Sequence, residues 1–128
     1  MIIIRLFSLP NTYTITDTVK NVLDAKAEKI GEKLIISSAE SLELTAAAPA
    51  PISFADMTLL ARKVTSFPDN VPMDVKDDAQ TLLAASDSND ESVRLALYDT
   101  DNLTFSPGSF VSISELREFM GLKQFKNF

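Results

Sequence analysis

The chain has 128 residues, 45% of them hydrophobic, and a formal net charge of -6. That length suits one domain, which would hide roughly two-thirds of its unfolded surface in a core. It contains neither Cys nor His, which excludes a disulfide framework, a thiolate metal site, the commonest general base and the commonest zinc ligand.

The first segment, residues 2 to 9, is apolar on both pleat faces apart from Arg5, as in a strand buried on both sides and ended by Pro10. It has no basic n-region and no small-residue cleavage site, so it makes a poor secretory signal, and no run reaches the roughly 20 apolar residues of a membrane span. A soluble chain in the cytoplasm, or in a particle assembled there, is expected. Asn11 to Thr16 is a polar connection in which Tyr13 and Ile15 can extend the sheet. From Asp17 the period becomes helical: Val19, Val22, Leu23, Ala27 and Ile30 share a face, and Gly31 follows.

Leu34 and Ile36, then Leu42 and Leu44, alternate with polar residues on either side of Ser38-Ala39-Glu40, which predicts a hairpin. Ala46 to Pro51 is an extended Ala/Pro connector, too short to separate two domains. Ser53 is placed as an N-cap with Asp56 in the first turn; Met57, Leu60, Ala61 and Val64 then repeat at helical spacing until Phe67-Pro68. Asp74 can cap a third helix with Val75, Ala79, Leu82 and Leu83 inside.

Asp87 to Glu91 is a polar loop. Val93, Leu95 and Leu97 alternate with Arg94, Ala96 and Tyr98, the period of a half-buried strand, and Asp99-Thr100-Asp101-Asn102 supplies hairpin-turn chemistry before Leu103 and Phe105 resume the alternation. Ser106-Pro107-Gly108-Ser109 predicts a type II turn in which Ser109→Ala changes little. Ser112 and Glu115 have capping-box spacing, with Val111 and Leu116 as the hydrophobic staple. A helix from Ile113 presents Ile113, Leu116, Phe119 and Met120 on one face and ends at Gly121. The predicted order is β-α-β-β-α-α-β-β-α: a single α+β domain over residues 1–128, a mostly antiparallel sheet with helices packed on it. No internal repeat is visible.

Chemistry must then come from carboxylates, Lys, Arg, Ser, Thr and Tyr. The runs starting at Asp87 and Asp99 open like calcium loops but lack the Gly at position six and the Glu at position twelve, so they read as turns. Asp99 with Asp101, or either with Glu115, could form a two-carboxylate hydrolase, but nothing nearby promises the apolar pocket that raises one pKa. Ser106 to Ser109 is not a nucleophile elbow, and glycines at 31, 108 and 121 form no phosphate-cradling loop. No catalytic residue, metal ligand or cofactor is therefore assigned.

Two features favour binding. Residues 69 to 101 hold nine acids against Lys76 and Arg94, a surface suited to a basic protein and unsuited to nucleic acid. Asp77, Asp78, Asp90 and Glu91 are the candidates there. The tail from Leu122 to Phe128 carries Phe125 and Phe128 with Lys123 and Lys126, an aromatic anchor with charges opposite in sign to the acidic stretch. The expected function is a non-enzymatic protein-protein interaction or assembly subunit, self-associating or bound to a protein partner, as in a virus-like particle or other large complex. In the order of its helices and hairpins and in its acidity, the chain resembles secretion chaperones that clamp unfolded effectors. That resemblance implies an alternative, a small acidic inhibitor or adaptor for a basic partner.

Overall fold

The computed structural model describes residues 12–121. Strand β1 (Thr14–Asp17) pairs in parallel with β4 (Ser41–Leu44), setting Ile15 beside Leu42. Likewise β5 (Asp74–Asp77) pairs in parallel with β6 (Asn102–Phe105), setting Val75 beside Leu103. Among the described residues the antiparallel pairing is confined to β2 (Lys29–Ile30) and β3 (Lys33–Leu34), a hairpin turned by Gly31 at φ 64°.

Parallel strands need a crossover, and here helices supply it. The first crossover carries α1 (Val19–Asp24), capped by the Thr18 hydroxyl, then the β2-β3 hairpin and the short α2 (Ile35–Ser38). The second carries α4 (Ala79–Ser86), capped by Asp78, and α5 (Glu91–Asp99), capped by Asp90. Each parallel pair is followed by one more helix: α3 (Phe54–Ala61) behind Ser53 and α6 (Ile113–Met120) behind Ser112.

The two halves repeat one plan. In each, an Asp ends the first strand and accepts the N–H of the next residue: Thr18 to Asp17 at 2.7 Å and Asp78 to Asp77 at 2.8 Å. The C=O of that Asp then accepts from the residue just past the second strand, Thr45 in one half and Ser106 in the other. Before the strands, Glu40 N–H donates to Tyr13 C=O as Asp101 N–H donates to Met73 C=O. Side chains tie the starts of the strands together as well, Thr14 with Ser41 and Asn102 with Asp74. Val22 and Leu82 are buried at matching positions of α1 and α4, as are Leu60 and Phe119 of α3 and α6. The repeat is hidden in the sequence because its shared residues, such as Asp17 with Asp77 and Ser53 with Ser112, are few and scattered and the crossovers are built differently.

The halves interlock rather than merely abut. Ile52 donates its N–H to Asp74 C=O and accepts from Lys76 N–H, both at 2.9 Å, adding one residue of strand to the outer edge of β5. Asp77 Oδ2 accepts Phe54 N–H at 2.9 Å, so an acid of the second half satisfies the first free donor of α3. With α3 packed on α5 and β5, buried side chains of both halves, including Val19, Met57, Leu82 and Phe119, form one cluster.

The structure corrects several expectations. Residues 93–97 are helical, within α5: the Asp90 carboxylate accepts the N–H groups of Ser92 and Val93, and burial falls on Ala96 and Leu97 while Leu95 and Tyr98 stay exposed. Asp99 to Asn102 is consequently a helix exit, held by the Thr100 hydroxyl donating to Ala96 C=O at 2.8 Å, and not a hairpin tip. Asp74 opens a strand; the cap belongs to Asp78, four residues later. The first helix stops at Asp24, and the hairpin expected around Ser38-Ala39-Glu40 is replaced by α2 followed by β4 beside β1. A mostly antiparallel sheet is therefore wrong: the chain is α+β with small, mostly parallel strand pairs.

Local signals fared better. Ser53 caps α3 with Asp56 in its first turn, and both halves of the Ser112/Glu115 box form. Gly108 has φ 83° after Pro107, with Ser109 N–H donating to Ser106 C=O at 3.3 Å, as a type II turn requires. The strand expected over residues 2 to 9 lies outside the described residues. No helix among the described residues is long and apolar enough to cross a membrane.

Candidate protein-interaction surface

Four of the nine acids between residues 69 and 101 hold backbone N–H groups, and a fifth holds a side chain. Asp77 accepts from Phe54 and Asp78 N–H, Asp78 from Gln80 N–H, and Asp90 from Ser92 and Val93 N–H. Asp74 accepts from the Asn102 side chain and Asp101 from Met73 N–H. Of the four acids singled out in this stretch, Asp77 is partly buried, while Asp78, Asp90 and Glu91 are exposed at the N-termini of α4 and α5, where negative charge suits the helix dipole. Sequence alone assigns these groups to a partner; their geometry gives each of the three Asp residues a local acceptor role first. Phe125, Phe128, Lys123 and Lys126 lie outside the described residues.

Asp99 and Asp101, the pair considered for hydrolysis, line one groove of about 520 Å³ together with Leu95, Tyr98, Phe67 and Pro68. Burial, and next the charge of Asp101, raises the Asp99 carboxyl above its ordinary value. One oxygen of Asp101 is already engaged by Met73 N–H at 2.6 Å. Glu115 belongs to a different place, the start of α6, where the Ser112 N–H foremost, and then Gln80, holds its carboxyl below the ordinary value. Among the described residues no three carboxylates converge as a metal site would need.

The second feature is apolar. On α6, Ile113 and Met120 stand seven residues apart, two turns along one face, and are 73% and 59% exposed. Phe110, just upstream, is exposed as well, while Phe119 turns inward and meets the edge of Phe105 with ring centroids 5.0 Å apart. The α6 face is thus divided: one side fastens the helix to its own half, the other presents apolar area to solvent. Gln80 fixes the approach to α6 by donating to Phe110 C=O at 2.7 Å. The sequence identifies the helix and its apolar positions but not which of them are left uncovered, since that depends on what packs there. Leu95 was missed as a surface residue because α5 was read as a strand with Val93, Leu95 and Leu97 inside; the Asp90 cap followed by Val93, Ala96 and Leu97 at helical spacing was the available signal.

Comparison of the chain with protein-family models, with curated proteins and with solved structures finds no match.

Proposed function

We propose that the chain is a non-enzymatic assembly subunit that works by binding protein, in a virus-like particle or another large complex. The observation that carries this reading is the exposed apolar face of α6, where Ile113 and Met120 lie on a helix whose other side is anchored by Phe119, with Phe110 exposed just upstream. Apolar side chains gathered on one rigid element are the usual anchor of an interface, and covering them releases the free energy that their hydration withholds. The acidic adaptor alternative is less favoured, because five of the nine acids between residues 69 and 101 already accept hydrogen bonds within the fold.

Native mass measurement of the chain recovered from the cells that make it, at low and high salt, tests the proposal. The expected result is a complex heavier than the 14.0 kDa chain that survives high salt. A complex lost on raising the salt supports the acidic adaptor instead, and a monomer at both salts refutes both. Truncation after Leu122, measured alongside, asks whether the tail bearing Phe125 and Phe128 contributes to that complex.

A further inference from the structure

The internal repeat leaves one contact made in the first half and unmade in the second. Position by position, Ile52, Ser53, Phe54, Met57 and Leu60 correspond to Val111, Ser112, Ile113, Leu116 and Phe119, as the matching N-caps of α3 and α6 show. The inner positions agree, for Leu60 and Phe119 are both fully buried. The outer positions do not: Phe54 is 5% exposed and Ile113 is 73% exposed. The difference arises because the second half, with β5 and α5, covers α3, whereas among the described residues nothing follows to cover α6.

The surface that would cover it exists at the other end of the molecule. Within the chain, α3 is received by the outer edge of β5, which pairs with Ile52, and by Asp77, which caps Phe54. The counterpart of β5 is β1. Tyr13 and Asp17 both turn their C=O groups toward the β4 side, to Glu40 and Thr45, so alternation along the strand turns the N–H and C=O groups of Thr14 and Thr16 to the opposite edge. No described strand lies on that edge. Asp17, the counterpart of Asp77, uses Oδ1 for Thr18 N–H and the Asn21 side chain, just as Asp77 uses Oδ1 for Asp78 N–H, while Asp77 gives its Oδ2 to Phe54 N–H.

We propose that the chain associates head to tail with a second copy of itself, α6 of one copy docking on the β1 edge of the next as α3 docks on β5 within the chain. In that contact Val111 pairs with the outward groups of Thr14 and Thr16, Asp17 Oδ2 accepts Ile113 N–H, and Ile113 and Met120 become covered. The two faces differ, so the contact is heterologous: it propagates into a filament, or closes into a ring if the rotation per copy allows. This inference rests on the assembly reading and specifies its partner.

Sedimentation and native mass across a concentration series test it with wild type, Ile113→Arg, Met120→Arg, Asp17→Asn and an equimolar mixture of Ile113→Arg with Asp17→Asn. Ile113 and Met120 are exposed, so Arg is accommodated in the monomer, and thermal melts verify that each variant folds. The expected outcome is that wild type grows beyond a dimer with concentration, each variant alone stays monomeric, and the mixture yields a 1:1 dimer and nothing larger. Only one sound face of each kind remains in that mixture. A wild type that is monomeric throughout, an Ile113→Arg or Met120→Arg variant that still grows, or a mixture that stays monomeric overturns the proposal. A purified monomer that nevertheless forms a salt-resistant complex with another protein in cells sinks only this inference and leaves the assembly reading standing.

Discussion

Replacing Asp77 by Ala should destabilise the fold more than the same change at Asp17, although the two acids hold equivalent places in the repeat. Both accept the N–H of the residue that follows them. Asp77 also accepts Phe54 N–H at 2.9 Å from the other half of the chain, whereas the second bond of Asp17 is to Asn21, four residues away on the surface. A hydrogen bond to a charged group contributes about 1.5 to 3 kcal/mol, and loss of a helix cap costs about 1 kcal/mol. Because Asp77 is only partly buried, solvent screens the loss and water can replace part of it, so we expect about 2 kcal/mol for Asp77→Ala. For a chain of this length, with an unfolding entropy of about 2.1 cal/mol/K per residue, that lowers Tm by about 7 °C. Asp77→Asn keeps one acceptor and should fall between wild type and Ala. Asp17→Ala should give a clearly smaller shift, since its partners Thr18 and Asn21 are local and tie no second half to the first. Urea unfolding and thermal melts at pH 7 measure all three. Equal shifts for Asp77→Ala and Asp17→Ala, or an Asp77→Ala loss below about 0.5 kcal/mol, within the range of an ordinary surface substitution, would refute the capping of α3 across the halves.

Two further outcomes follow from local geometry. Ser112→Ala should cost about 1 kcal/mol, the usual loss for an N-cap side chain. Ser109→Ala should cost a comparable amount, contrary to the expectation from its turn motif, because Ser109 Oγ accepts Ala79 N–H at 3.1 Å and so helps cap α4; a silent Ser109→Ala in thermal melts would remove that role. Asp99 governs a pH effect: its folded carboxyl is raised above the ordinary 3.8, so the folded state holds a proton more tightly than the unfolded chain, and the charged group opposes folding at neutral pH. Asp99→Asn should therefore raise Tm at pH 7, and the gain should shrink as pH falls through the raised value toward 3.8; a gain independent of pH would refute the cause.

What the sequence determined by itself is what can be settled within about one helical turn. Ser53 with Asp56, Ser112 with Glu115, and Pro107-Gly108 each place a donor and an acceptor, or a required φ, within three residues of each other, and all form as expected. The amphipathic face of α6 was legible for the same reason. Only the tertiary structure decided what residues 92–98 become, since Val93, Leu95 and Leu97 fit a strand while Val93, Ala96 and Leu97 fit a helix. The choice falls to the helix because α3 packs against α5, burying Ala96 completely. Strand direction was equally out of reach: β1 finds β4 and β5 finds β6 across long crossovers, and the energy that selects parallel pairing lies in contacts between residues far apart in the chain. The repeat escaped notice because it lies mainly in hydrogen-bond geometry, where Thr18 and Asp78 serve alike as caps, while its shared residue types are few and widely spaced. Which side of α6 stays bare is likewise a tertiary outcome: α3 and α6 carry similar apolar positions, and they differ because β5 and α5 lie beside one and not the other.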